Sequence, residues 1–242
     1  MNKIFAPLFY ACGLCGSEEF PVSGGGVCPE CLEKLEFFSA DRRCSGCGGE
    51  NNTIFPVCPQ CLHEPKRLWK KAWSLFAYRN YGRVVISKFK FRRHSEIALP
   101  LGMMAAKMLR ESGCDCNLAV PVPMNFFRRT LRGYNQAELF ARCTAGELQL
   151  PLKNILHSRL TFSVQSSRNR QERHRAIAKQ FSLRGKIAPG SRILLIDDIF
   201  TTGATLNAAA EILLAGGAES VAVLTAARSI SFASLASGGW NR

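Results

Sequence analysis

The sequence predicts an α/β protein in which helices flank a parallel sheet and a small cysteine-rich module precedes it. Four Cys-x-x-Cys pairs fall within residues 12–61. Further along, an apolar run, an amphipathic stretch and a second apolar run follow one another, as in a strand–helix–strand unit of a parallel sheet. The chain has 242 residues, enough for one good-sized core and a small module.

The cysteine-rich module is placed at residues 1–66, ending at the Glu64-Pro65-Lys66 break. A Cys-x-x-Cys turn directs two thiolates at one tetrahedral metal ion, and two such turns close a four-sulfur zinc site. We therefore expect two structural zinc ions, in preference to a disulfide framework or iron–sulfur clusters. The pairs can be used sequentially, as tandem ribbons, or interleaved, as a cross-brace. The predicted ligands are Cys12, Cys15, Cys28, Cys31, Cys44, Cys47, Cys58 and Cys61.

The N-terminus favours a reducing compartment, and the remaining three cysteines have no assigned metal. Cys114, Cys116 and Cys143 fall outside the pattern and are predicted to be structural. The apolar stretch after Lys3 is short and interrupted by Pro7, which is a poor match to a signal peptide. No apolar run reaches the ~18 residues that a membrane span needs. We expect a cytoplasmic protein with no transmembrane segment, whose thiols stay reduced.

The charge of the chain is strongly divided. Residues 1–66 hold five Lys and Arg against eight Asp and Glu, a net −3, whereas residues 67–242 hold 27 against 10, a net +17. A basic domain of this kind favours polyanions such as nucleic acid, or nucleotide-like ligands. Surface charge that serves solubility alone is the alternative.

The basic domain, placed at residues 67–230, begins with an edge strand at Trp69–Tyr81. Two helices, Arg83–Phe91 and Ile97–Leu109, and a short strand, Leu118–Pro123, follow. Residues 126–136 are predicted to be a basic loop, before a helix at Ala137–Leu148. The tail 231–242 is expected to be disordered. Later elements are the strand Ile193–Ile196, the helix Thr205–Ala215 and the strand Ser220–Ala226.

Residues 157–180 are rich in arginine and poor in apolar anchors. This composition favours a mobile loop or lid that faces an anion, with a solvated basic linker as the alternative. The candidate lid cations are Arg168, Arg170 and Arg173.

Two adjacent acids, Asp197 and Asp198, follow the strand at 193–196 and precede a Thr/Gly-rich turn into a helix. Carboxylates at the carboxyl edge of a parallel sheet can accept hydrogen bonds from vicinal sugar hydroxyls. The free amides and positive end of the following helix favour a phosphate. A metal site or a helix cap would explain the two acids, but neither would explain the Thr/Gly-rich turn that follows them. The pattern indicates a ribose 5-phosphate with a second charged group. The turn residues are Thr201, Thr202, Gly203, Ala204 and Thr205.

The run Leu195–Thr205 resembles the motif by which type I phosphoribosyltransferases bind 5-phosphoribosyl 1-diphosphate (PRPP). Together with the four cysteine pairs, Val120-Pro121-Val122-Pro123 and Arg132-Gly133-Tyr134-Asn135-Gln136-Ala137, it resembles the ComF/GntX family. That family is associated with DNA uptake in natural transformation and has an N-terminal double zinc ribbon. Two positions depart from its pattern: Ala176 replaces a common Asn, and Asn125 a common His.

The resemblance implies a type I phosphoribosyltransferase-like fold and roles for several residues. Asp197 and Asp198 would hold the ribose hydroxyls, and Thr201–Thr205 the 5-phosphate. We expect Arg128, Arg129 and Arg132 to contact pyrophosphate. Mg²⁺ would be bound mainly through PRPP, since it prefers phosphate and water oxygens.

Three functions fit these residues. The favoured one is a PRPP-binding protein that handles single-stranded DNA during uptake. An active phosphoribosyltransferase is the alternative, although neither a pocket for its nucleobase-like acceptor nor a general base stands out, since His157 and His174 are expected to be solvated. In a third, the zinc ribbons dock a partner such as a helicase of the uptake machinery. The catalytic residues stay unassigned.

Overall fold

The computed structural model describes residues 11–12, 14–18, 27–64, 66–90, 92–159 and 180–229. Its centre is a four-stranded parallel sheet in the order β1-β6-β5-β2, which confirms the predicted α/β class. The strands are β1 (Ala72–Ala77), β2 (Leu118–Pro121), β5 (Arg192–Phe200) and β6 (Ser220–Arg228). A separate antiparallel pair is formed by β3 (Leu156–Ser158) and β4 (Phe181–Leu183).

Helices cover both faces of the sheet, as all-parallel sheets require. The main helices are α3 (Asn80–Phe89), α4 (Ala98–Glu111), α6 (Gln136–Leu148) and α7 (Ala204–Ala215). Alternate residues of β5 face opposite layers: Leu194 and Ile196 pack on the side of α3, α4 and α6, and Ile193 and Leu195 on the side of α7. A 3₁₀ segment, Arg92–Ile97, leads into α4. None of the helices in the described ranges is long and apolar enough to cross a bilayer.

The structure corrects two of the predicted elements. Residues 126–136 are not all loop, because α5 (Phe126–Arg132) occupies the first part: Asn125 caps its first turn and Gly133 ends it in the left-handed region at φ +80°. The strand predicted at 193–196 continues as β5 to Phe200 and includes both acids. The other predicted helices and strands of the sheet differ from the observed ones only at their ends.

The cysteine module packs along the outer side of β1. It contains two short helices, α1 (Pro29–Glu33) and α2 (Pro59–Leu62), each starting beside a cysteine. The predicted edge strand is an edge of the sheet, yet all six of its residues are buried. Module backbone covers it through hydrogen bonds such as Phe38 N–H to Leu75 O (3.1 Å) and Ser74 N–H to Gly48 O (3.3 Å). An edge that would otherwise invite pairing with another chain is thereby closed.

Candidate functional site

The two acids lie in the part of β5 that extends beyond the end of β2. The pairing of β2 with β5 ends at Pro121 opposite Ile196, so Asp197 and Asp198 have no β2 residue beside them. Both line a cavity of about 500 Å³ at this end of the sheet, a size typical of small-molecule sites. Burial and the charge of Asp198 raise the pKa of Asp197 well above its usual range. The pair is therefore suited to accept hydroxyl donors or to face a cation.

The 201–205 turn lies beside the acids. Thr201 and Thr205 line the same cavity, and the hydroxyl of Thr202 accepts a hydrogen bond from Ala204 N–H at 3.3 Å, at the start of α7. Gly203 has φ +80°, and a Cβ there would lie 2.7 Å from Nη1 of Arg67 and 2.8 Å from Cζ of Phe200. Only glycine satisfies both the left-handed backbone and this close approach. The turn thus joins the sheet edge to a helix N-terminus, where an anion is favoured.

Another part of the cavity lining comes from the 132–137 motif. Asn135 caps α6 and donates to Val122 O (3.0 Å), while Gln136, fully buried, donates to Lys90 O (3.3 Å) and accepts from Nη1 of Arg132 (3.3 Å). Tyr134 donates to Phe89 O. The motif therefore joins the ends of β2, α3 and α5, and Lys90 and Arg132 line the same cavity as the acids.

The structure describes only part of the predicted cationic set. Arg132 lines the cavity, whereas Arg129 is exposed on α5 and is not part of the lining; the side chain of Arg128 lies outside the described residues. The candidate lid residues Arg168, Arg170 and Arg173 and the tail 231–242 also lie outside them. The 157–180 segment overlaps β3 at its start and is followed directly by β4, and Gln180 at its close lines the cavity.

Several residues of the cavity were not predicted from the sequence. Lys90, Asn135 and Gln136 were given no part in the ligand site, although the last two stood in the motif that carried the family resemblance. Buried polar residues at a helix N-terminus were the available signal. No sequence signal placed Lys90 in the cavity, because its position depends on how α3 packs.

The cysteines form two compact groups and are used sequentially, not interleaved. The first cluster is Cys12, Cys15, Cys28 and Cys31; the second cluster is Cys44, Cys47, Cys58 and Cys61. Within each, the sulfurs lie within 4.8 Å of one another. Backbone N–H groups donate to sulfur in both, as from Cys28 to Cys12 and from Cys58 to Cys44, each at 3.2 Å. Two four-sulfur sites of this kind fit structural zinc, with no position left for a reacting ligand.

The electrostatics of the second cluster also fit a cation. Hydrogen bonds from Cys47, Cys58 and Cys61 hold the pKa of Cys44 far below its usual value, while sulfur neighbours raise that of Cys61. The pKa of Cys47 is also lowered, to about 6, and that of Cys58 is raised, so two thiolates are favoured at the expense of the other two and full ionisation needs a bound metal. Cys114, Cys116 and Cys143 lie outside both clusters and half-buried.

Comparison with known proteins identifies the family. A model of the phosphoribosyl transferase domain matches residues 135–233. The chain is 32% identical to competence protein ComFC of Bacillus subtilis over 210 residues, 84% of each chain. The chain belongs to the ComF family. It is also 29% identical to competence protein F of Haemophilus influenzae, over 86% of this chain and 92% of that one. DNA utilization protein YhgH of Escherichia coli O157:H7 is 27% identical, over 90% and 98%.

Membership of the ComF family accounts for both parts of the molecule, the parallel sheet and the cysteine module. The phosphoribosyltransferase-type sheet and the two cysteine clusters occur in one chain. At Asn125, where the ComF/GntX pattern often has His, the side chain caps α5 and lines the cavity. Asn125 is therefore a structural part of the cavity rim, and we assign it no proton-transfer role.

Proposed function

We propose that this ComF-type protein binds PRPP with Mg²⁺ in the cavity at the end of β5 and acts on single-stranded DNA during its uptake. The observation that carries the proposal is the juxtaposition in one cavity of a carboxylate pair, a turn at a helix N-terminus, and two cations. Each of these suits a different part of PRPP: the ribose hydroxyls, the 5-phosphate and the pyrophosphate.

In the proposed complex, the carboxylates of Asp197 and Asp198 accept hydrogen bonds from the ribose 2- and 3-hydroxyls. The 5-phosphate occupies the 201–205 turn, with the hydroxyls of Thr201 and Thr205 as additional donors. Lys90 and Arg132, which line the same cavity, contact the pyrophosphate. Of the arginines first expected in that role, Arg132 is the best supported. Mg²⁺ would neutralise pyrophosphate and keep water among its ligands.

Single-stranded DNA is the proposed macromolecular partner. The relatives are named as competence and DNA utilization proteins, and the basic domain carries a net +17. On α5, beside the cavity, Phe127 is 62% exposed and Arg129 is also exposed. An aromatic side chain next to a cation is a common arrangement for binding single strands, through base stacking and phosphate contact.

The cysteine module is proposed to hold two zinc ions and to dock a partner such as a helicase of the uptake machinery, in the cytoplasm. Ile54 is 96% exposed and Phe55 60% exposed at the end of a turn fixed by Asn51, which donates to Phe55 O at 2.6 Å. The alternative of an active phosphoribosyltransferase is not favoured, because the names of the relatives point to DNA handling and no histidine of the described residues lines the cavity.

Calorimetry with PRPP and Mg²⁺ tests the site. We expect wild-type protein to bind, and Asp197→Asn with Asp198→Asn to lose binding, because the hydroxyl acceptors lose their charge. Since the pKa of Asp197 is raised, wild-type affinity should also fall as the pH is lowered and that carboxylate takes up a proton. Asp115→Asn, at a highly exposed acid beside Arg192, is the matched control and should bind as wild type. Absence of binding to wild type would contradict the proposal.

A further inference from the structure

The second cysteine cluster and the 201–205 turn are joined by a buried arginine. Arg228, the last residue of β6, is 3% exposed. In the described part of the chain it has no carboxylate within ion-pair distance, and its Nε has no hydrogen-bond partner. A buried, unpaired guanidinium is costly unless neighbouring acceptors or anions compensate it. The surroundings of Arg228 show which groups do so.

On one side, Arg228 holds the start of the turn. Its Nη1 donates to Thr201 O at 2.9 Å and to Phe200 O at 3.4 Å, and its guanidinium lies 4.7 Å from the centre of the Phe200 ring. On the other side, its Nη2 donates to Oε1 of Gln60 at 2.7 Å. Gln60 stands in α2 between Cys58 and Cys61, two ligands of the second cluster.

A second arginine links the same two regions. Arg67 donates to Thr202 O at 2.8 Å and lies 5.5 Å from the ring centres of both Trp69 and Phe200. Trp69 in turn donates from Nε1 to Gly46 O at 3.0 Å, between Cys44 and Cys47. The carbonyls of residues 200, 201 and 202 are thus all held by guanidiniums. Arg228 contacts the cysteine module directly, through Gln60, and Arg67 does so indirectly, through Trp69.

Holding these carbonyls fixes the direction of the amides. In a planar trans peptide, the C=O of one residue and the N–H of the next point in opposite directions. With the carbonyls of Thr201 and Thr202 directed at arginines, the N–H groups of Thr202 and Gly203 point away from the module. Neither amide donates to another backbone group of the described residues. Two guanidiniums behind the turn also raise its attraction for an anion.

We propose that the second cluster sets the phosphate affinity of the turn through Gln60, Arg228 and Arg67, so that zinc binding and phosphate binding are coupled. Four thiolates around one Zn²⁺ carry a net negative charge, so Arg228 lies between two anionic sites. This inference rests on the proposed PRPP site. Coupling between two bound ligands is reciprocal, so PRPP should tighten zinc at the second cluster by the factor by which that zinc tightens PRPP.

Gln60→Leu tests the link, because it removes the acceptor for Nη2 of Arg228 and leaves all cysteines in place. We expect PRPP affinity to fall about 5-fold or more, the lower end of typical coupling, with zinc content maintained. The melting temperature should fall modestly, because Nη2 of the buried Arg228 loses its acceptor. Tyr81→Phe is the matched control: it removes a hydroxyl 3.0 Å from Sγ of Cys31 in the first cluster and should leave PRPP affinity unchanged. Wild-type PRPP affinity in Gln60→Leu would overturn the proposal.

Chelator competition on the wild-type protein gives a second, independent measurement. Saturating PRPP and Mg²⁺ should raise the apparent zinc affinity of one of the two sites, after correction with a blank of PRPP and chelator. No change in zinc affinity would overturn the coupling, and this experiment decides the matter if Gln60→Leu loses zinc or fails to fold. Failure of the wild type to bind PRPP at all would instead contradict the proposed function.

Discussion

Asp197 illustrates at the scale of a single residue how the site is held ready for a ligand. Its raised pKa means that the folded protein loses stability as the pH rises from the carboxyl's unfolded value to its folded one. Above that window the charged pair is kept at a cost to the fold. Hydroxyl donors or a cation carried by the ligand would stabilise the charged carboxylate of Asp197. Binding of the proposed ligand would therefore offset the free-energy cost of keeping that carboxylate ionised.

Gly203 is the residue on which the shape of the 201–205 turn most depends. Gly203→Ala should destabilise the protein by about 1–3 kcal/mol and weaken PRPP binding, because a Cβ strains the left-handed backbone and meets Arg67 and Phe200. Urea unfolding and calorimetry measure the two effects.

Gly217, at the other end of α7, is the matched control. Its φ is +98°, and a Cβ added there would meet no atom within 4 Å apart from its chain neighbours. Gly217→Ala should show the backbone strain alone and leave PRPP affinity intact. Equal effects of the two variants on PRPP binding would mean that the close approach at Gly203 has no role in the site.

At the scale of elements, α5 is the clearest case in which sequence pattern and structure differ. The residues of α5 are mostly charged or polar after the first two and show no apolar stripe of helical period, so the sequence pattern predicts a loop. The helix exists because Asn125 and Gly133 supply its two ends and because the 132–137 motif fixes it against α3 and β2. Such contacts between distant segments leave no periodic trace in the sequence.

The exposed face of α5 yields a test of DNA binding. Replacing one phosphate-contacting cation on a single strand lowers the salt dependence of binding by about 0.7 in log–log slope. We expect Arg129→Gln to show that change with single-stranded DNA, and Phe127→Ala to weaken binding with the slope unchanged. Fluorescence anisotropy at several salt concentrations measures both.

Lys107→Gln, on the exposed surface of α4, is the control for α5. It removes one positive charge, as Arg129→Gln does, but on a different helix. If it changes the slope as much as Arg129→Gln, DNA binding is a property of the general charge and not of α5.

At the scale of the whole molecule, the cysteine module is part of the core. The first cluster packs with the α3 and α4 side of the sheet and the second with the α7 side, so the module straddles β1. The division at residue 66 remains a useful description of the sequence, but the packing makes the two parts depend on each other.

Metal removal should therefore affect the entire protein. Zinc binding is worth roughly 10–16 kcal/mol per site, and its loss would uncover β1 together with Trp69 and Trp73. We expect chelator treatment to shift tryptophan fluorescence to longer wavelength, lower the melting temperature and promote association through the exposed edge. Calcium-saturated chelator serves as the control. A monomeric, unshifted protein without metal would show that the basic domain stands alone.

The sequence by itself determined the two four-cysteine groups, from four Cys-x-x-Cys pairs, and the parallel sheet, from successive apolar runs. It also predicted a sugar-phosphate site, from two acids before a Thr/Gly turn. These follow from spacing, because a tetrahedral metal site and a strand–turn–helix phosphate site are made by residues close in the chain. Only the tertiary structure decided that Lys90 and Gln136 reach the cavity, that the clusters lie on opposite sides of the sheet, and that Arg228 joins one of them to the turn. Each of these depends on contacts between residues distant in sequence, which packing alone brings together.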